Sequence, residues 1–247
     1  QDIMQQNGNK THATRTVIEL RKKILAGDLP GGTRLFEVPL AEELEISRTP
    51  LRDAMSRLAE EGLLERAKSG GFVVRQFTFS DVIDAIELRG VMEGTAARLA
   101  AERGVKPEAM ARIQGVLNDL DACFGAAPGE VDFEAYSELN ARFHSELAGL
   151  AGSKIVTHEV ERAARLPFAS PSAFTPDRAD IEAFRRSLNV AQAQHRAIVE
   201  AIAAREGTRA EGLAREHARI ARRNMEYVLL EDRSLMERVP GHALVVA

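Results

Sequence analysis

Three histidines, His144, His195 and His217, each fall inside an apolar stripe of helical spacing. The stripes are Asn140, Phe143, His144 and Leu147; Leu188, Ala191, His195, Ile198 and Ile202; and Leu213, His217 and Ile220. An imidazole on the inward face of a helix bundle needs a partner, because burying a polar group without one costs free energy. Two readings stand. Each ring can be a core residue bonded to a backbone carbonyl, or the three can converge on a divalent metal, since neutral imidazole suits zinc, nickel, iron or copper. Asn140 lies one turn before His144, close enough for its carbonyl oxygen or a bridging water to join them. Arg89 sits on a further inward stripe, Val82, Ile86, Arg89, Glu93 and Ala97. It can pair with Glu93 one turn on, or clamp a ligand carboxylate with its two-pronged guanidinium. Arg142 is a lesser candidate for such an anion, with a helical phase that points outward. His158 is read as structural.

The stretch ISRTPLRDAM, residues 46–55, holds a different inventory. Ser47 stands where an N-cap belongs, and Pro50 fits a first helical turn, where its missing N–H had no partner to lose. Arg48 and Arg52 then lie four apart on one face at the opening of the helix, with Thr49 beside them and Arg57 further along. Arginine bonds guanine bidentately, while Ser and Thr hydroxyls and helix N-terminal N–H groups hold phosphates. Lys68, Ser69 and Gly70 form a hairpin tip able to reach an adjacent groove, and Arg34 precedes the second helix, within reach of the DNA backbone. The plainer alternative is a solvated face on which Arg48 and Arg52 pair with Asp53, Glu60 or Glu61.

Positioning these groups takes two textures of chain. Over residues 12–78 the elements are short: TRTVIELRKKILAG with Val17, Leu20, Ile24 and Leu25 at helical spacing, the turn GDLPGGT, then two helices carrying Leu40, Leu44, Leu51, Met55 and Leu58, joined by a tight turn at Glu45, Ile46 and Ser47. LLERAKSGGFVVRQF follows, two extended segments around a Lys-Ser-Gly-Gly tip. Three helices and a β-hairpin make a winged helix-turn-helix. From residue 80 the pattern is helical near 80–103, 107–124, 132–151, 153–166, 179–205 and 207–230, an all-α six-helix antiparallel bundle with its own core. Ser80 is the expected cap at the junction, and residues 231–247 form a C-terminal tail, docked or disordered. The loop LPFASPSAFTPD, with Phe168 and Phe174, is either a lid over a ligand pocket or a proline-stiffened connection.

Composition bounds the function. The chain of 247 residues is 45% hydrophobic and 28% charged, enough apolar material for a full core. A net charge of −4 supplies no global basic field, so any nucleic-acid contact must be a local patch. The single Cys123 excludes a disulfide framework and suits a reducing compartment. Charged residues interrupt every long apolar run, and residues 1–11 lack an apolar core, so neither a membrane span nor a signal peptide is expected. A cytoplasmic location follows as an expectation.

The run PGGTRL, then LAEEL, then ISRTPLRDAMSRLAEEGLL closely resembles the DNA-binding domain of GntR-superfamily regulators. The helical remainder is similar to the FCD effector domain of the FadR subfamily, and together the likeness covers residues 12–230. It implies that Arg48, Thr49 and Arg52 lie on the helix that contacts bases and phosphates, with Lys68 through Gly71 on the wing tip. Some relatives carry an arginine where this chain has Val38. Many FCD domains hold a divalent metal through an Asp and three His. NARFHSEL resembles the first ligand motif with Asn140 in the Asp position, and QHRAIVEAI and REHARIARRN resemble the others, giving His195 and His217. A neutral Asn removes a charge and a strong ligand, which weakens cation affinity and leaves more positive charge for an anionic effector. The family often uses an arginine near Arg89 to bind its effector, and the loop is similar to a VanR-like branch whose effectors include vanillate. The resemblance thus implies a homodimeric repressor that leaves a palindromic DNA operator on binding a small carboxylate, with zinc or nickel as the expected ion. The rival reading is a metal-dependent hydrolase, with Glu93 or Glu146 as base beside the three histidines.

Overall fold

The computed structural model describes residues 2–127, 129–166, 168–171, 182–239 and 241–246, with side chains from residue 13 onward except that of Ala183. The chain divides into two compact units, residues 1–81 with 240–247, and residues 82–239.

In the first unit, α1 (Asp2–Ala26) begins well before the stretch whose spacing predicted it, and it packs against α3 (Arg48–Glu60). Val17, Leu20 and Ile24 recur at helical spacing and are buried, as are Leu51, Met55 and Leu58 on α3. Between α2 (Glu37–Glu43) and α3 the tight turn closes as a Schellman motif: the Ile46 N–H donates to the Ala41 carbonyl at 3.0 Å and the Glu45 N–H to the Glu42 carbonyl at 3.3 Å. Glu45 takes φ 53°, the left-handed conformation that such a turn demands and that glycine adopts most easily. Ser47 occupies the cap position of α3, but its side chain makes no capping hydrogen bond, so the expected cap is a cap by position only.

The wing carries one strand more than the expected hairpin. Strands β2 (Leu64–Arg66) and β3 (Phe72–Val74) pair antiparallel, and β1 (Arg34–Leu35) joins the free side of β3, with Arg34 opposite Val73 and Leu35 opposite Phe72. The C-terminal residues dock on this unit. Gly241 N–H donates to the Leu25 carbonyl at 2.9 Å, Phe77 N–H to the Leu244 carbonyl at 2.7 Å, and Val246 N–H to the Phe77 carbonyl at 2.8 Å. Leu244 is fully buried. Gly27, at φ 88°, leaves room for this segment, since a Cβ there would stand 3.1 Å from that of Ala243.

Helix α4 (Phe79–Arg103) opens with a reciprocal cap: Thr78 N–H donates to Asp81 Oδ2 at 2.8 Å, and Asp81 N–H donates to Thr78 Oγ1 at 3.1 Å. The cap is therefore Thr78, not Ser80, which falls inside the helix. The second unit continues with α5 (Pro107–Asp121), α6 (Phe133–Gly149), α7 (Lys154–Ala164), α8 (Glu182–Ala203) and α9 (Gly207–Glu226), after which Tyr227–Glu231 widen into a π turn. Their shared core includes Ile113, Leu117, Leu120, Tyr136, Phe143, Leu147, Ile198 and Ile202. Gly90 lets α4 and α9 approach closely: a Cβ there would meet that of Ala218 at 2.7 Å, next to His217. The fold is mostly α, a winged helix-turn-helix followed by a helical domain, as the sequence implied. Among the described residues no helix is long and apolar enough to cross a membrane.

Candidate metal centre and nucleic-acid interface

Helices α6, α8 and α9 bring His144, His195 and His217 together, all buried, with candidate ligand atoms within 4.8 Å of one another. His217 Nε2 lies 3.0 Å from His195 Nε2 and 3.3 Å from His144 Nε2. The opposite ring nitrogens each meet an oxygen. His144 Nδ1 is 2.7 Å from Glu93 Oε1, His195 Nδ1 is 3.0 Å from Gln192 Oε1, and His217 Nδ1 is 3.1 Å from Gln194 Oε1. Each oxygen can only accept, so each Nδ1 keeps its hydrogen and donates it as a hydrogen bond, which leaves the Nε2 lone pairs aimed at one point. Converging lone pairs repel unless something electrophilic lies between them. Ligand nitrogens at 2.0–2.1 Å around a tetrahedral ion stand about 3.3–3.4 Å apart, near the separations found. The donor set therefore fits a divalent metal, and the acceptors on Nδ1 are what fix the tautomer for it. Burial, then the neighbouring rings, holds His195 far below the ordinary imidazole range, and His217 falls to about 3 for the same first reason. Both stay neutral, the state in which imidazole binds a metal.

Glu93 also faces Arg89, at 3.6 Å between Oε2 and Nε, and both are buried. That pair is too long for a hydrogen bond, and Arg89 Nε and Glu93 Oε2 have no other partner among the described residues. Arg89 Nη1 donates to the Ala169 carbonyl at 2.8 Å. Burial alone would raise the Glu93 carboxyl, but His144 and Arg89 together bring it down to about 2, so it remains charged. Arg89, Asn140, His144 and His217 line one cavity, walled by apolar groups that include Tyr136, Phe184, Leu188 and Ile220. Asn140 Nδ2 donates to the Pro171 carbonyl at 3.2 Å. Arg142 is exposed and outside this lining, as its helical phase indicated. Phe168 is buried and does not line the cavity, while Phe174 lies outside the described residues. His158 is exposed on α7 and is not among the three clustered histidines.

The first unit presents the other set. Ser47, Arg48, Thr49, Arg52, Lys68, Ser69 and Gly70 are all exposed. Arg48 and Arg52 keep 61% and 58% of their side-chain surface, so neither is buried by a neighbour. They pair with an acid the sequence did not single out: Glu37 takes Arg52 through two 2.8 Å bonds and Arg48 at 3.4 Å. Asp53, Glu60 and Glu61 are not their hydrogen-bonding partners, and Glu61 instead receives Arg21. Arg34 reaches the wing, donating to Ser69 Oγ at 2.5 Å and to the Gly70 carbonyl at 2.9 Å, with its guanidinium 5.0 Å over the Phe36 ring.

Residues 13–74 match the profile of bacterial regulatory proteins of the gntR family, and residues 84–219 match that of the FCD domain. The chain is an FCD-bearing member of the GntR family. Among curated relatives, it is 37% identical over 120 residues to the Nta operon transcriptional regulator of Aminobacter aminovorans, covering 49% of this chain and 54% of the relative. It is 33% identical over 129 residues to the probable D-xylose utilization operon transcriptional repressor of Paenarthrobacter nicotinovorans, covering 52% and 54%. The chain thus spans about half the length of each. Escherichia coli McbR/YncC shares the fold, with a TM-score of 0.56 at 20% identity over 88% of this chain and 97% of that one. The gntR profile is that of bacterial regulatory proteins and both curated relatives are named as regulators of transcription, so the family supports regulation and not the hydrolase reading. Sequence reasoning missed Glu37, Gln192 and Gln194, and it paired Glu93 with Arg89 without finding its bond to His144. The signal for Glu37 was an acid opening the helix just before the two arginines.

Proposed function

We propose that this chain is a DNA-binding transcription regulator, a cytoplasmic homodimeric repressor whose hold on a palindromic operator is set by a small carboxylate. Residues 12–78, with the docked segment 241–246, act as the DNA-binding domain, and residues 80–230 as the effector and dimerisation domain. The observation that carries the reading is the exposed arginine pair at the start of α3, within the same unit as the Arg34, Ser69 and Gly70 wing tip. In a helix-turn-helix this end of the second helix enters the major groove. Arg48 and Arg52 then read bases, Ser47 and Thr49 hold phosphate, and Lys68 with the wing tip takes the flanking backbone.

His144, His195 and His217 would hold a divalent ion, zinc or nickel, with Asn140 as a neutral neighbour. Bound there, the ion supplies a positive anchor for a carboxylate oxygen. Arg89 lies in the same cavity, and the apolar walls suit a ring-bearing acid of the vanillate class. A ligand shifts DNA affinity only by binding one arrangement of the protein better than the other.

Selection from a random duplex pool tests the central part. The expected result is a pseudo-palindrome with half-sites about one helical turn apart. A protein that enriches no sequence contradicts it. Addition of aromatic acids to the selected complex tests the effector part, where release at constant salt is expected and unchanged affinity across the series counts against it.

A further inference from the structure

Glu37 is the first residue of α2, a position where an acid favours the helix dipole. Its carboxylate does more than that position requires. Oε1 accepts from Arg52 Nε at 2.8 Å, and Oε2 accepts from Arg52 Nη2 at 2.8 Å and from Arg48 Nη2 at 3.4 Å. The bond to Arg52 is a fork on a fork, the geometry that fixes a guanidinium plane rather than merely attracting it. It occupies the Nε–Nη2 edge of Arg52 and leaves the Nη1–Nη2 end for a ligand, on a side chain that keeps 58% of its surface exposed. A guanidinium can approach guanine O6 and N7 with either edge, so the carboxylate selects one of the two. It also reduces the local charge from two cations to a net of one. Phe36 and Val38, on either side, are exposed and apolar, so they add no charge to the patch.

We infer that Glu37 is a specificity-determining residue: it holds Arg52, and Arg48 less closely, with the outer guanidinium edge toward the duplex, and it weakens the attraction of the patch for phosphate of any sequence. Base reading is kept while indiscriminate binding is reduced. The inference rests on the DNA-binding reading proposed above. Arg52 is its instrument, and Glu37 acts through it as a positioning residue.

The test compares wild type, Glu37→Gln and Glu37→Asp on two probes, a random duplex pool for selection and calf-thymus DNA for sequence-independent affinity. For Glu37→Gln, the expected result is tighter binding to calf-thymus DNA, with a salt dependence steeper by up to about one unit of slope. The ratio of selected to calf-thymus affinity should fall about five- to tenfold, with preference relaxed at one base per half-site. Glu37→Asp, which keeps the charge on a shorter arm, should lie between the two. A folded Glu37→Gln protein with wild-type selection and wild-type calf-thymus affinity overturns the inference. So does a variant that loses only melting temperature, since that is the signature of a helix-start acid and nothing else. Wild type that enriches no sequence overturns the DNA-binding reading, and this inference falls with it.

Discussion

At the scale of single residues, the second unit is organised by Glu93. Its carboxylate serves two buried partners, accepting from His144 and compensating Arg89. Removing one partner of a buried ion pair leaves the other charge unpaired, which typically costs about 3–5 kcal/mol. Glu93→Gln is therefore expected to lower the free energy of denaturant unfolding by that order, and a change under about 1 kcal/mol would show that Arg89 does not depend on it. Asn140 is the neutral member of the histidine cavity. Asn140→Asp adds a charge and an oxygen ligand beside His144, and competition against a chromophoric chelator should show tighter retention of zinc or nickel. Equal retention would place Asn140 outside the ligand set. The convergence of the three histidines could be suspected from their stripes. The partners on Nδ1 could not, because Glu93 and His144 are 51 residues apart and only the packing of α4 against α6 brings them together.

At the scale of elements, two features carry measurable consequences. Glu45 closes the Schellman turn between α2 and α3 at φ 53°, where an L side chain is strained by about 1–2 kcal/mol and glycine is not. Part of that gain is lost to the freedom glycine has when unfolded, so Glu45→Gly should raise stability by about 0.5–1 kcal/mol in thermal or urea unfolding. The reciprocal cap at Thr78 and Asp81 makes a pH-dependent contribution. The bonds from Thr78 hold the Asp81 carboxyl below the ordinary aspartate value of about 4. A group whose folded value is depressed stabilises above its unfolded value and loses that contribution as pH falls through the folded one. Asp81→Ala should thus cost about 0.5–1 kcal/mol near neutral pH, with the gap to wild type closing below about pH 4. Helix breaks such as Gly104 to Pro107 were plain in the sequence because glycine and proline act locally. The two-residue strand β1 was not, since two residues have no periodicity and its pairing comes from Phe72 and Val73 far along the chain.

At the scale of the whole molecule, the division into a winged helix-turn-helix and a helical domain was legible because the change in element length is written in the spacing of apolar residues. The return of the chain to the first unit was not. Residues 241–246 dock through backbone bonds to Leu25 and Phe77, and backbone bonds leave no pattern in side-chain types. Protein ending at Arg238 should lose the burial of Leu244 and unfold its first unit at lower denaturant concentration. An unchanged midpoint would make the docked segment ornamental. Coupling between effector and DNA, where present, must be reciprocal: a carboxylate that loosens the operator is itself bound less tightly when operator is present.

In the proposed reading the exposed start of α3 is what enters DNA, and the affinity of Arg52→Ala for a duplex selected by wild type, at fixed salt, tests it most directly. A loss of about 1–3 kcal/mol, with relaxed preference at one base of each half-site, is the expected result. Wild-type affinity and wild-type sequence preference in that variant would contradict it.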